Sequence, residues 1–208
     1  MGFVATPGAA PSHRVVQLGV TALARLSHRG GLDADGRSGD GAGLLVQVPR
    51  GIVGHDVAVA VLFEWDDRAR RELAAALAGY GMGVADWRRP PVDADSLGDR
   101  ARERMPNIWH AVLTRPDVPD DQWEDLLYFA RRLAERRAQA QGIRMYVASC
   151  SCRTIVYKGL MAGTHLADFY LDLQDPACES QLAVFHQRYS TNTLPDWRLA
   201  QPFRMLAH

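Results

Sequence analysis

Cysteine is scarce in this chain: three in 208 residues, at Cys150, Cys152 and Cys178. Three are too few for a disulfide scaffold, and their scarcity points to a reducing, cytoplasmic compartment. An excess of one charge is also lacking. Lys plus Arg total 24 and Asp plus Glu total 24, so the basic footprint of a nucleic-acid binder is missing. Long apolar runs are missing too. VAVAVLF (57–63) and AGLLVQV (42–48) fall far short of the roughly 20 residues a membrane helix needs. The opening MGFVATPGAAPSHR has neither the basic region nor the apolar core of a secretory signal. Gly2 followed by Thr6 fits the bare pattern for N-myristoylation, but a strand start accounts for the same residues.

What is present is apolar content and periodicity. Hydrophobic residues make up 47% of the chain, enough to bury a real core, and 208 residues fit one domain or at most two small ones. Residues 2–6 read as a short strand. The spacing of Val15, Leu18, Ala22 and Leu26 predicts a helix, capped by Ser12 and ended at Gly30. The glycine-rich stretch 30–43 predicts a loop that runs into the strand LLVQVP. DVAVAVLFEW (56–65) predicts a buried strand, and DDRARRELAAALAGYG (66–81) a helix. GVADWRRPPV predicts an extended stretch, and NIWHAVLTRP (107–116) another strand. The longest helix is expected over 119–142, with Trp123, Leu126, Ala130 and Leu133 as its apolar stripe and acidic residues at its N-terminus. IRMYVASCSCRTIVYKG (143–159) predicts a β-hairpin or a bent strand pair, and 178–191 the last strand. Strands come in adjacent pairs without strict β-α alternation, which favours mainly antiparallel sheets over a doubly wound parallel one.

Several motifs have plain explanations. GRSGDGAG (36–43) is not a phosphate loop: no Lys-Ser or Lys-Thr follows its last glycine, and a strand rather than a helix comes next. Cys150 and Cys152 can share a strand face, but no Cys-His cluster stands elsewhere to complete a metal site. ARRLAERR (130–137) reads as a solvated helix face. FHQRYSTNT (185–193) is different. An apolar strand delivers a dense set of donors at its C-terminal end, and Arg188 carries a planar fork suited to a carboxylate.

HQRYSTNTLPDWRLAQPFRMLAH (186–208), LSHRGGLDADGRSGDGAGLLVQVP (26–49) and YVASCSCRTIVYKGLM (146–161) together resemble the N-terminal class II glutamine amidotransferase domain of the glutamate synthase large subunit. DLQDP (172–176) fits as well. The resemblance implies an α+β fold, the four-layer αββα sandwich of mainly antiparallel sheets of the N-terminal-nucleophile hydrolases, with residues 1–208 as part of that domain. It implies a terminal cysteine that attacks the amide of glutamine, with its own α-amino group as base. Arg188 matches the residue that holds the glutamine α-carboxylate, and Ser190 and Thr191 the loop beside it. Arg29 and Gly30 match an Arg-Gly pair near the nucleophile, Gly2 and Phe3 the end of the terminal motif, and Asp40 to Gly43 the loop that follows the Arg-Gly pair.

The family pattern Cys-Gly-x-Gly-Phe would place the nucleophile two positions before Met1. The Asn-Gly pair of the oxyanion hole would follow His208. The expectation is therefore a fragment that lacks both and is inactive as it stands. None of Cys150, Cys152 and Cys178 can replace the terminal cysteine. No metal or cofactor is expected in this segment. FMN, an iron–sulfur cluster and an electron-donor subunit or ferredoxin are expected with the remaining domains of the parent chain, and neither nucleic acid nor membrane as a partner. The alternative is a non-catalytic binding or scaffold protein of the same fold.

Overall fold

The computed structural model describes residues 1–190 and 194–203. Its strands are β1 (Gly2–Ala5), β2 (Ser38–Gln47), β3 (Val57–Glu64), β4 (Val84–Arg88), β5 (Asn107–Thr114), β6 (Met145–Ser151), β7 (Thr154–Met161) and β8 (Leu182–Gln187). The α-helices are α1 (His13–Arg25), α2 (Arg50–Val53), α3 (Ala69–Ala78), α4 (Asp99–Glu103), α5 (Asp120–Ala140) and α6 (Leu166–Phe169). The chain divides into two compact units. One holds Met1–Ile52, Pro90–Met105 and Val156–His208, the other Val53–Arg89 and Pro106–Ile155. Each contains a four-stranded sheet with helices, the α+β arrangement expected from the strand pairing.

In the first unit the sheet order is β1-β8-β2-β7. β8 pairs antiparallel with β1 on one side and β2 on the other: Gly2 lies opposite Phe185, and Gly43 opposite His186. Helix α1 packs on this sheet through Val15, Val16, Gly19 and Leu23. The expected stripe of Val15, Leu18, Ala22 and Leu26 is therefore corrected, and Leu18 is exposed. The contact line runs through Gly19, where an added Cβ would sit 2.7 Å from Ala183. A glycine that permits close approach is invisible to a count of apolar residues. Ser12 occupies the N-cap position but makes no side-chain cap bond. Its backbone instead bridges to Ser180. β2 starts at Ser38, so the last part of the stretch expected to be a loop, 38–43, is strand.

In the second unit the order is β4-β5-β3-β6, and all three pairings are antiparallel. β3 is buried along almost its whole length, as its unbroken apolar run requires. α3 and α5 cover the sheet with Leu73, Leu77, Trp123, Leu127, Ala130 and Ala134. Leu126 and Leu133, expected in the stripe, are only partly buried, because alanines at four-residue spacing take the centre of the contact. Arg131, expected on the solvated face, is buried and paired with Glu135 at 2.8 Å. Arg132, Arg136 and Arg137 are exposed as expected.

Of the hairpin or bent strand pair expected over 143–159, the hairpin does not form: two successive strands are present, but they do not pair with each other. β6 joins β3 in one sheet, and β7 joins β2 in the other. The link between them is held by Glu124 of α5, whose carboxylate accepts bonds from Ser151 Oγ and from the backbone N–H of Cys152, both at 2.7 Å. Burial, together with Glu124, pushes the Cys152 thiol up to about 12. The thiolate is the reactive form, so iodoacetamide at pH 8 is expected to label native protein at the partly exposed Cys150, leaving Cys152 and the buried Cys178 unmodified. Peptide mass spectrometry after a short pulse checks this, and rapid alkylation of Cys152 would contradict it.

Candidate active site

The first unit gathers most of the residues singled out in the sequence around the C-terminal end of β8. Burial alternates along β8: Ala183, Phe185 and Gln187 are buried, Val184 and His186 only partly. Arg188, the next residue, is half-buried. Its backbone N–H donates to Gly41 O at 2.7 Å, and its guanidinium Nη1 lies 3.5 Å from Asp40 O. Two residues on, the Ser190 N–H donates to the Asp40 carboxylate at 2.6 Å.

The Arg-Gly-Gly turn closes on the same place. Arg29 ends a 3₁₀ turn over Ser27–Arg29, and Gly30 follows it. An added Cβ on Gly30 would fall 2.0 Å from Gln187 Nε2, and one on Gly31 would fall 2.4 Å from Asp40 Oδ2. Only glycines let the turn lie this flat on the two side chains. Asp40 N–H donates to Gly31 O at 3.1 Å, and the Gln187 amide oxygen accepts the Gly163 N–H at 2.6 Å.

The structure thus brings Gly30, Arg188 and Ser190 together and places Arg29 beside them in the backbone. Gly2 and Phe3 are on the neighbouring strand. Gly2 lies opposite Phe185, and the Phe3 side chain is exposed. Thr191 lies outside the described residues. The sequence assigns no role to Asp40, and shows Gln187 only as one of the polar groups in the dense run 186–193. The only signal available was their position, Asp40 between the glycines and Gln187 next to Arg188.

A cavity of about 240 Å³ opens next to Asp40, lined among others by Leu32, Asp33, Ser38, Arg100 and Leu194. Arg100 bonds Asp33 at 2.7 Å and holds its carboxyl below the usual carboxylate range. Ser38 does the same to Asp35, chiefly through its hydroxyl at 2.6 Å. Among the described residues no group of three or more His, Cys, Asp and Glu is placed to hold a metal ion. No helix among them is long and apolar enough to cross a membrane.

A strand-end arginine, the Ser190 N–H held by the Asp40 carboxylate, and the Arg-Gly-Gly turn against Gln187 and Asp40 thus lie at one end of β8. The sequence model described as "Glutamine amidotransferases class-II" matches residues 1–208. The chain belongs to this family. It is similar to the glutamate synthase [NADPH] large chain of Azospirillum brasilense, at 38% identity over all of this chain and 15% of that protein. It is also similar to the ferredoxin-dependent glutamate synthase 2 of Synechocystis sp., at 37% over all of this chain and 14% of that protein. The glutamate synthase [NADPH] large chain of Bacillus subtilis is 35% identical over 95% of this chain and 14% of that protein. The chain therefore spans about one seventh of the length of these relatives.

Proposed function

We propose that residues 1–208 belong to the glutaminase part of a glutamate synthase, which moves the amide nitrogen of glutamine to 2-oxoglutarate. In this reading Arg188 holds the glutamine α-carboxylate, and Ser190 and Thr191 face the substrate from the loop. Arg29 and Gly30 lie close to the nucleophile, as do Gly2 and Phe3 at the end of its motif. The observation that carries the reading is the ladder between β1 and β8. Gly2 faces Phe185. Continued three residues from Gly2 toward the N-terminus, the same register sets the position two before Met1 opposite Arg188. The family pattern has its cysteine at that position. Opposed residues of an antiparallel pair stand about 4.5–5.5 Å apart at Cβ. A molecule of glutamine's length can therefore have its carboxylate on the guanidinium and its amide at the sulfur.

The overall reaction turns one glutamine, one 2-oxoglutarate, two electrons and two protons into two glutamates. FMN and an iron–sulfur cluster belong, in this reading, to parts of the protein outside residues 1–208. The electron donor is a partner subunit or ferredoxin. The same reading sets the protein in the cytoplasm, in keeping with its scarcity of cysteine.

The test uses the full-length protein that carries this chain, with [amide-¹⁵N]glutamine, 2-oxoglutarate and a reduced donor. Label in the α-amino group of newly made glutamate is expected. Failure to release or transfer the amide nitrogen would leave a non-catalytic binding module of the same fold.

A further inference from the structure

We infer that Asp40 is a positioning residue for the substrate loop: its carboxylate holds Ser190, and with it Arg188, in the geometry that receives a carboxylate ligand. This rests on the glutaminase reading above and adds a residue to which that reading assigns no role.

Two independent observations point to it. The first is the set of bonds. The Asp40 carboxylate accepts the Ser190 N–H at 2.6 Å, across 150 residues of sequence. Asp40 O lies 3.5 Å from the Arg188 guanidinium, and the next carbonyl, Gly41 O, accepts the Arg188 N–H at 2.7 Å. One short stretch of β2 thus fixes the backbone of Arg188, restrains its head group and holds Ser190 two residues on. The second observation is the seat of the carboxylate. Gly31 has no side chain where Asp40 Oδ2 lies, and a Cβ there would come within 2.4 Å. A backbone N–H to carboxylate bond is charge-assisted and stronger than a neutral one. It orders the loop before substrate arrives, and that lowers the entropy cost of binding. Asp40 itself does not need to touch glutamine.

A residue of this kind acts on affinity rather than on the chemical step. In the full-length protein, Asp40→Ala is expected to raise the glutamine KM about tenfold, the loss of one hydrogen bond to a charged group. kcat at saturating glutamine, and the rate when ammonia replaces glutamine, should stay near the parent values. Asp40→Asn keeps an oxygen that can accept the Ser190 N–H, so it is expected to recover most of the affinity. Gly31→Ala leaves the carboxylate in the chain but displaces it, and should reproduce the KM effect.

Arg188→Lys serves as the separate control on the pocket. If Arg188→Lys weakens glutamine use while Asp40→Ala leaves KM within about twofold of the parent, a change too small for a lost charge-assisted bond, the role of Asp40 is refuted and the glutaminase reading stands. If neither variant moves the glutamine KM, the pocket itself is misplaced. Should Asp40→Ala also abolish the ammonia-fed rate, Gly31→Ala decides in its place. Loss of both rates in both variants would make Asp40 a purely structural residue and overturn the proposal.

Discussion

Arg188→Lys is expected to raise the KM for glutamine about ten- to a hundredfold in the full-length protein, the loss of one of two charge-assisted bonds to the substrate carboxylate. The charge is conserved in this substitution, so any effect reports geometry. A guanidinium presents two parallel N–H groups to the two carboxylate oxygens, while an ammonium on a flexible stem presents a point charge. The site magnifies the difference. Arg188 leaves a strand paired on both edges, its N–H is fixed to Gly41 O at 2.7 Å, and a lysine would inherit the fixed base without the fork. The ammonia-fed reaction bypasses glutamine and sets the reference rate. A surface arginine in an ordinary ion pair contributes about 0–1 kcal/mol to stability and does not touch glutamine, so its replacement would leave KM unchanged. Steady-state kinetics with glutamine as the varied substrate separate the two. A KM unchanged within about twofold would remove Arg188 from the binding site.

The ease with which Arg188 could be found shows what a sequence displays. An apolar strand that ends in a dense donor set is a local pattern, and it needs no knowledge of the rest of the chain. β3 is legible for the same reason, as an unbroken apolar run, β5 as a mainly apolar run interrupted by His110, and α3 and α5 as periodic ones. The misses share a physical cause: each depends on a contact from far along the chain, or on a residue with no side chain to count. β6 and β7 follow each other within three residues, yet part into different sheets. The carboxylate that fixes their link, Glu124, is 27 residues from Ser151. The face of α1 was misjudged because Gly19 forms its centre. Asp40 stood in plain view among the glycines, but the partner that gives it a role, Ser190, is 150 residues away. The resemblance to the amidotransferases picked out Gly30 and the loop around Asp40. It did not say that Gly30 and Gly31 are glycine so that the turn can lie against Gln187 and Asp40.

Gly43→Ala is expected to lower the melting temperature by about 6–12 °C, from a destabilisation of about 3 kcal/mol and a response of about 2–4 °C per kcal/mol for a chain of this size. The added methyl has nowhere to go. It would lie 2.5 Å from Gln201 O, 2.7 Å from Tyr157 O and 2.7 Å from Lys158 Cβ. Two of those three are backbone oxygens, which cannot rotate away as a flexible side chain can. One belongs to β7, and the other to the segment that returns across the sheet at 197–203. That segment is itself pinned: Lys158, fully buried, donates from Nζ to Arg198 O at 2.9 Å and to Ala200 O at 2.7 Å. To admit a methyl, either the sheet must open or the return segment must lift off its lysine. Gly36 provides the contrast within the same glycine-rich stretch. It sits at φ +68 with nothing within 4 Å of an added Cβ, so Gly36→Ala carries only the left-handed backbone penalty of about 1–2 kcal/mol. Thermal unfolding followed by circular dichroism should therefore rank the two, with Gly43→Ala well below Gly36→Ala and both below the parent. If Gly43→Ala melts within about 2 °C of the parent, less than 1 kcal/mol on this scale, the return segment is not packed on β2 as closely as these distances require.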